Sequence, residues 1–240
     1  MSISGETLVV IPARRASTRL PEKLLLAESG KPLLAHTLER CLEASLPNRV
    51  IAAVDCEELA AIAREAGAET ILTDPSLASG SDRVGAAVAH FPEAVAVVNV
   101  QGDEPEIEAE AVDAVLQAVL DGAAVATLAA PLPDGALENP AAVKVRSDEL
   151  GNALGFTRLP DTRADWRLHV GVYGYSTAAL ESFTSTPPTP SEQEHHLEQL
   201  RFLENGIPVQ VIPWPRAFLG IDTRSDYDAF LARRVGASPP

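Results

Sequence analysis

Apolar residues follow two alternating rhythms through the first half of the chain. Short apolar runs at Thr7–Ile11, Arg49–Val54, Glu69–Leu72, Val95–Val100 and Ala124–Leu132 predict strands, the first two of them buried. Between them the apolar positions take helical spacing. Leu34, Leu38, Cys41 and Leu42 share a stripe within Pro32–Ala44, and an Ala-rich stretch, Glu57–Ala66, closes at Gly67. Val84, Ala87 and Val88 follow a cap at Ser81 or Asp82, and Val112, Val115, Leu116 and Val119 form one face of Glu108–Leu120. Strand alternating with helix predicts a mostly parallel sheet covered on both faces.

The second half reads differently. Ala142–Val145 and Ala153–Thr157 flank a Gly151-Asn152 turn, which predicts a hairpin. Leu168–Tyr175 alternates as a strand, Glu192–Leu203 reads as a polar helix, Val209–Ile212 as a last strand and Arg224–Arg234 as a closing helix. Thr184–Pro190 is a Pro-rich loop with no linker character. The expected fold is a single α/β domain over residues 1–240, with antiparallel strands added to a parallel core.

Composition narrows the partners. With 46% hydrophobic residues and only 5% aromatics, Ala, Val and Leu must fill a sizeable core. Lys and Arg total 19 against 34 acidic residues, a net charge of −15 that repels nucleic acid and anionic membranes. An anionic substrate therefore needs a local basic pocket. Cys41 and Cys56 form neither a metal spacing nor a disulfide framework. No basic stretch precedes an apolar leader and no apolar run is long enough for a bilayer, so cytoplasmic residence is expected.

Three motifs carry chemistry. Ile11–Lys23 follows the first strand, where α/β sheets bind ligands, and gathers Arg14, Arg15, Arg19 and Lys23 around Ser17 and Thr18. Such a loop suits a polyphosphate, yet it is neither a Walker A loop nor a GxGxxG fingerprint. Asn99–Pro105 ends a strand with Asp103 and Glu104, and a carboxylate there suits magnesium or an ordinary surface turn equally well. Asp222 precedes the last helix, where a plain N-cap at Asp222 or Thr223 is the simpler reading. His195 and His196 are adjacent, about 100° apart on one helix, and do not converge on a metal. HExxH, GxSxG and CxxC are absent.

Eight motifs in order resemble the 3-deoxy-manno-octulosonate cytidylyltransferases: Ile11–Lys23, Ser79–Arg83, Asn99–Pro105, Asn139–Lys144, Phe156–Arg158, His169–Tyr175, Leu197–Arg201 and Gly220–Thr223. The resemblance implies a nucleotide-diphospho-sugar transferase fold and a homodimer. It also implies the reaction of CTP with an eight-carbon keto-deoxy sugar acid, giving the CMP-sugar and pyrophosphate for lipopolysaccharide assembly. It implies that residues 1–135 mainly serve the nucleotide and 136–240 mainly the sugar acid and dimerisation. By motif position, Arg14, Ser17, Arg19 and Lys23 hold the triphosphate. The Pro12-Ala13 backbone, Ser79 and Gln101 lie near the nucleotide or the joining sugar. Asp103 and Asp222 share Mg2+. Arg158, His169, Tyr173, Glu198 and Gln199 line the sugar-acid pocket, with Gln101 at its edge. Arg14, Arg19, Lys23, Asp103 and Asp222 are the residues expected to carry catalysis.

Three departures from the family stand out. Glu22 replaces a usual glycine, His195 stands in place of an acidic residue, and the Arg158–His169 segment is short, with Leu159-Pro160 and then DTRADW. A shorter loop predicts normal cytidine selectivity with an altered preference at the far end of the sugar acid, unless Trp166 and Arg167 or a dimer partner replace the contacts. The alternatives are a cytidylyltransferase for an amino-substituted or sialic-type acid, and a nucleotide-binding homologue without turnover.

Overall fold

β-Branched runs form the strands β1 (Glu6–Ala13), β2 (Arg49–Val54), β3 (Glu69–Leu72), β4 (Ala94–Asn99) and β5 (Val125–Ala130) in the computed structural model, which describes residues 5–77, 79–160 and 165–236. Four helices alternate with them: α1 (Leu33–Leu42), α2 (Glu57–Glu65), α3 (Gly80–Val88) and α4 (Ala109–Leu120). The second half adds β6 (Lys144–Ser147), β7 (Ala153–Thr157), β8 (Arg167–Ser176), α5 (Thr177–Ser185), α6 (Pro190–His195), α7 (Leu200–Glu204), β9 (Val209–Pro213) and α8 (Arg224–Gly236).

The strands form one mixed sheet whose main path runs β3-β2-β1-β4-β8-β5-β9. β1 pairs in parallel with β2 and β4, as do β2 with β3 and β5 with β9. β8 runs antiparallel between β4 and β5. The antiparallel element is thus wedged into the middle of the sheet rather than decorating an edge. Its run of small and aromatic residues explains how it fits: a Cβ on Gly174 would stand 2.7 Å from the Val115 carbonyl oxygen, so α4 rests directly on the strand backbone. β6 and β7 form the expected hairpin, and Gly151 takes φ +84 in its turn.

Alternation along β1 feeds two cores. Val9 and Ile11 face α1, α2 and α4, packing with Leu34, Leu38, Cys41, Val112, Val115 and Leu116. Leu8 and Val10 face the other side, with Val84, Ala87, Leu180 and Phe183. Cys41 is fully buried in its stripe, whereas Leu42 turns outward. Among the described residues no helix is long and apolar enough to cross a membrane.

Several boundaries differ from the sequence expectation for identifiable reasons. α3 is capped by Ser79, not Ser81 or Asp82: the Ser79 hydroxyl accepts from Asp82 N at 3.1 Å while the Asp82 carboxylate accepts from Ser79 N. α5 is absent from the sequence reading, although Ser176 caps it and Ala179, Leu180 and Phe183 form its buried face. The expected helix over Glu192–Leu203 is two helices, because His196 adopts left-handed φ 53, ψ 49 and ends α6. His195 and His196 therefore do not share a helix, and the break presents Leu197, Glu198 and Gln199 as irregular backbone.

Candidate active site

β1 and β4 are neighbours and parallel, so their C-terminal ends deliver Pro12-Ala13 and Gln101-Gly102-Asp103 to one edge of the sheet. Gly102 is held here by packing: a Cβ would lie 3.3 Å from both the Pro12 carbonyl oxygen and Leu34 Cδ1. The Gly102 carbonyl also accepts from Thr37 Oγ1 at 2.9 Å. The third contributor comes from the far end of the chain. Ile221 N donates to the Asp103 carbonyl at 2.9 Å and sets Asp222 beside Asp103. Thr223 and Asp226 supply the cap of α8, with Asp226 accepting from Asp222 N and Thr223 N, so the Asp222 carboxylate is not consumed as an N-cap.

Asp103 and Asp222 converge on one cation, the Lys23 ammonium, which donates to both carboxylates and to the Ile221 carbonyl at 2.9 Å. Arg19 Nη2 also meets Asp222 Oδ1 at 2.8 Å. Next to Asp103, the Glu104 Oε2 atom is buried without a hydrogen-bond partner. Burial first, and the Asp103 charge second, push the Glu104 carboxyl up to about 8. Among the described residues no group of three acidic, His or Cys side chains gathers around one point. The protein thus offers two carboxylates, a donor set that suits a hard divalent cation completing its shell with phosphate oxygens and water.

Three recesses that share Gln101 open at this edge. Pro12, Arg14, Ser17, Arg19, Lys23, Gln101, Asp103 and Asp222 line a cavity of about 220 Å³. Pro12, Ala13, Arg14, Ser79, Arg83, Gln101 and Glu198 line a second, of about 240 Å³. The largest of the three, about 400 Å³, is lined by Gln101, Arg158, His169, Tyr173, Glu198 and Gln199, together with Ser81, Asn99, Tyr175 and Phe202, to which the sequence assigned no role at the site. Gln101 borders all three, its Nε2 donating to Asn99 Oδ1 at 3.3 Å.

The walls of the large cavity are built from deep within the fold. His169 is packed edge-on against Phe156, and its Nε2 lies 3.0 Å from Thr127 Oγ1. Burial lowers its pKa to about 3, so it faces a ligand as neutral imidazole. The Tyr173 hydroxyl is buried without a protein partner and faces the cavity, a free donor for a ligand oxygen. The Arg158 guanidinium rests on three long contacts of 3.3–3.4 Å to the carbonyls of Pro140, His195 and His196. Its backbone is held more firmly: Lys144, 0% exposed, donates from Nζ to the Arg158 carbonyl and to the Asn139 carbonyl at 2.6 Å. Trp166 lies over Arg146, 5.5 Å from its guanidinium carbon. Residues 161–164 of the short segment lie outside the described residues.

Arg15 differs from its neighbours in the basic loop. Its Nε and Nη2 donate to Glu22 Oε1 at 2.9 and 2.7 Å, its Nη1 meets Glu58 Oε2 at 3.2 Å, and its backbone N donates to Asp55. It clasps the two ends of the loop. Glu22 sits at φ 52, ψ 31, the left-handed region that a glycine occupies freely. Glu22→Gly and Glu22→Ala both lose the clasp, but only glycine sheds the backbone cost, about 1 kcal/mol. Glu22→Ala is therefore expected to melt at a lower temperature than Glu22→Gly, and equal midpoints in thermal unfolding would contradict this.

A cationic loop at a strand end, facing two converging carboxylates beside a polar cavity, defines a nucleotidyltransferase on a mixed α/β sheet. A family model described as Cytidylyltransferase matches residues 8–211. A 3-deoxy-manno-octulosonate cytidylyltransferase of Anaeromyxobacter dehalogenans is 44% identical, covering 92% of this chain and 94% of the relative. One from Chloroherpeton thalassium is 39% identical, covering 96% and 99%. A solved CMP:2-keto-3-deoxy-manno-octonic acid synthetase complexed with CTP superposes with a TM-score of 0.92 at 31% identity, covering 97% of this chain and all of that one. The chain belongs to the 3-deoxy-manno-octulosonate cytidylyltransferase family.

Proposed function

We propose that this chain joins CMP from CTP to 3-deoxy-manno-octulosonate, releasing pyrophosphate and activating the sugar for lipopolysaccharide synthesis. The single observation that carries this reading is that three recesses of different character meet at Gln101. The cationic recess of Arg14, Ser17, Arg19 and Lys23 suits the triphosphate. The recess of Pro12, Ala13 and Ser79 suits the nucleoside. The large cavity, with Arg158 for a carboxylate and Tyr173, Glu198 and Gln199 for hydroxyls, suits the sugar acid.

The reaction brings the sugar's anomeric oxygen to the α-phosphorus and expels pyrophosphate. Most of the protein's work is alignment and charge neutralisation. Gln101 stands where the two substrates meet, and the Arg14–Lys23 loop offsets the charge that builds on the leaving pyrophosphate. Asp103 and Asp222 fit Mg2+, which supplies Lewis-acid charge neutralisation and lowers the pKa of a bound hydroxyl. When it is held there, Lys23 is free to turn from the carboxylates to phosphate oxygens. Neutral His169 and the Tyr173 phenol orient hydroxyls without adding charge.

A homodimer and cytoplasmic residence complete the proposal. Exposed Leu150, Leu154 and Leu159 give the β6–β7 region an apolar surface that supports self-association. Light scattering on the purified chain tests this, and a monomer at micromolar concentration would refute it.

Pyrophosphate release measured across nucleotides and sugar acids tests the function. CTP with the eight-carbon acid is expected to give the highest kcat/KM, and preference for an amino-substituted or sialic-type acid would replace this reading. The basic loop makes a separate prediction. Arg19→Ala is expected to weaken CTP binding roughly tenfold, through loss of charge-assisted phosphate bonds, while sparing CMP, whose single phosphate misses most of the loop. Equal losses for CTP and CMP in calorimetry would move the β- and γ-phosphates elsewhere.

A further inference from the structure

Ser81 is the second residue of α3, 8% exposed, and its Oγ donates to Glu198 Oε2 at 2.6 Å. That is the length of a charge-assisted O–H···O⁻ bond. It is also the only side-chain hydrogen bond of the Glu198 carboxylate among the described residues. The two residues belong to different walls. α3 begins inside the nucleoside recess, which Ser79 and Gly80 line, while Glu198 lies in the irregular stretch between α6 and α7. Glu198 borders both the nucleoside recess and the large cavity.

We propose that Ser81 is a positioning residue for the second substrate: its hydroxyl fixes Glu198 in one rotamer, as an ionised carboxylate, leaving Oε1 to accept from hydroxyls of the sugar acid. The assignment rests on the function proposed above. The surroundings make such a fixing contact necessary. Burial raises the Glu198 carboxyl most, the Ser81 hydroxyl draws it back down, and the charges of Glu192 on α6 and Asp82 on α3 raise it while Arg201 on α7 lowers it. Tyr173 and Tyr175 on β8, whose own pKa values burial raises, face it as neutral phenols. Arg14 and Arg83 border the adjoining recess. Without the hydroxyl, the carboxyl rises further and protonates at higher pH, and a protonated, freely rotating Glu198 is a poor acceptor.

The test compares wild type with Ser81→Ala, Ser81→Thr and Glu198→Gln in pyrophosphate release from CTP and the eight-carbon acid across pH, with CMP binding measured by calorimetry. Ser81→Ala is expected to raise KM for the acid about tenfold, the scale of a hydrogen bond to a charged group. It is expected to move the acid limb of kcat/KM to higher pH, because the carboxyl loses the hydroxyl that holds it down. CMP affinity should stay within roughly twofold, since Pro12, Ala13 and Ser79, the residues proposed for the nucleoside, are unchanged. Ser81→Thr should restore both readouts, and Glu198→Gln should abolish the acid limb. An unmoved acid limb in Ser81→Ala, or one that persists in Glu198→Gln, overturns the proposal even if Ser81→Ala folds poorly. If wild type turns over and Ser81→Ala matches it, only the role of Ser81 falls. If wild type releases no pyrophosphate with any sugar acid, the function and this role fall together.

Discussion

Asp103→Asn and Asp222→Asn are each expected to lower turnover by roughly a thousandfold, the rate equivalent of the ~4 kcal/mol that metal-borne charge stabilisation typically supplies. The fold should survive either change. Asparagine keeps the carboxylate's shape, and Lys23 retains the other carboxylate and the Ile221 carbonyl as partners. The two changes should not add: if both carboxylates hold one cation, losing the first removes most of the benefit of the second. Titration with Mn2+, followed by its paramagnetic signal, should show one site in wild type and none of comparable affinity in either variant. Near-normal rates in both variants would separate Asp103 and Asp222 from the chemistry.

The second large effect lies in the support of the large cavity proposed above for the sugar acid. Glu192 and Arg201 are paired at 7% and 9% side-chain exposure, with Arg201 Nε donating to Glu192 at 2.7 Å. Arg201 Nη1 also donates to the carbonyls of Phe183 and Thr186 at 2.9 and 3.0 Å, and its guanidinium carbon sits 3.9 Å from the centre of the Phe183 ring. This pair joins α5, α6 and α7 around the break at His196, and so fixes Leu197–Gln199 against the cavity. Glu192→Ala leaves a buried guanidinium without its anion and should cost about 3–5 kcal/mol. For a chain of this size that lowers the thermal midpoint by roughly 10 °C. The double change Glu192→Leu with Arg201→Met should recover much of the loss, because an apolar pair needs no charge compensation. KM for the sugar acid should nevertheless stay high in the double variant, since the carbonyl contacts that hold the break are gone. A Glu192→Ala chain as stable as wild type would contradict this account.

The parts of the fold that the sequence made legible are those specified locally. β2 and β3 fall on Arg49–Val54 and Glu69–Leu72 as the apolar runs predict, and the buried face of α4 is the expected Val112, Val115, Leu116 and Val119. What stayed hidden depends on distant partners. Nothing in Leu168–Tyr175 says that β8 inserts between β4 and β5, because strand order is set by packing, Gly174 against Val115 included. The break at His196 was equally hidden: a polar helical pattern runs through it, and the buried Arg201–Glu192 pair overrides that pattern.

The site shows the same division. The basic loop stood out by charge alone, four cations in an acidic chain. Asp103 and Asp222 each read as a surface turn or a cap until the family resemblance joined them, and the Ile221–Asp103 backbone bond supplies the physical reason they meet. From the sequence alone Ser81 reads only as a helix cap. Its sequence signal is weak, since a serine beside a helix start is ordinary, and its partner lies 117 residues away. Lys144 sat in a motif without a visible purpose, and its full burial against the Arg158 carbonyl supplies one.

The central claim is that two substrates meet at Gln101 over the Asp103–Asp222 pair. Phosphorus NMR of the purified chain with CTP, the eight-carbon acid and Mg2+ tests it most directly. The account predicts that CTP is consumed with one pyrophosphate and one CMP-sugar formed per turnover, that none of this occurs in EDTA, and that CTP is stable when the acid is omitted. Accumulation of free CMP without a sugar conjugate, or unchanged CTP in the complete mixture, would contradict it.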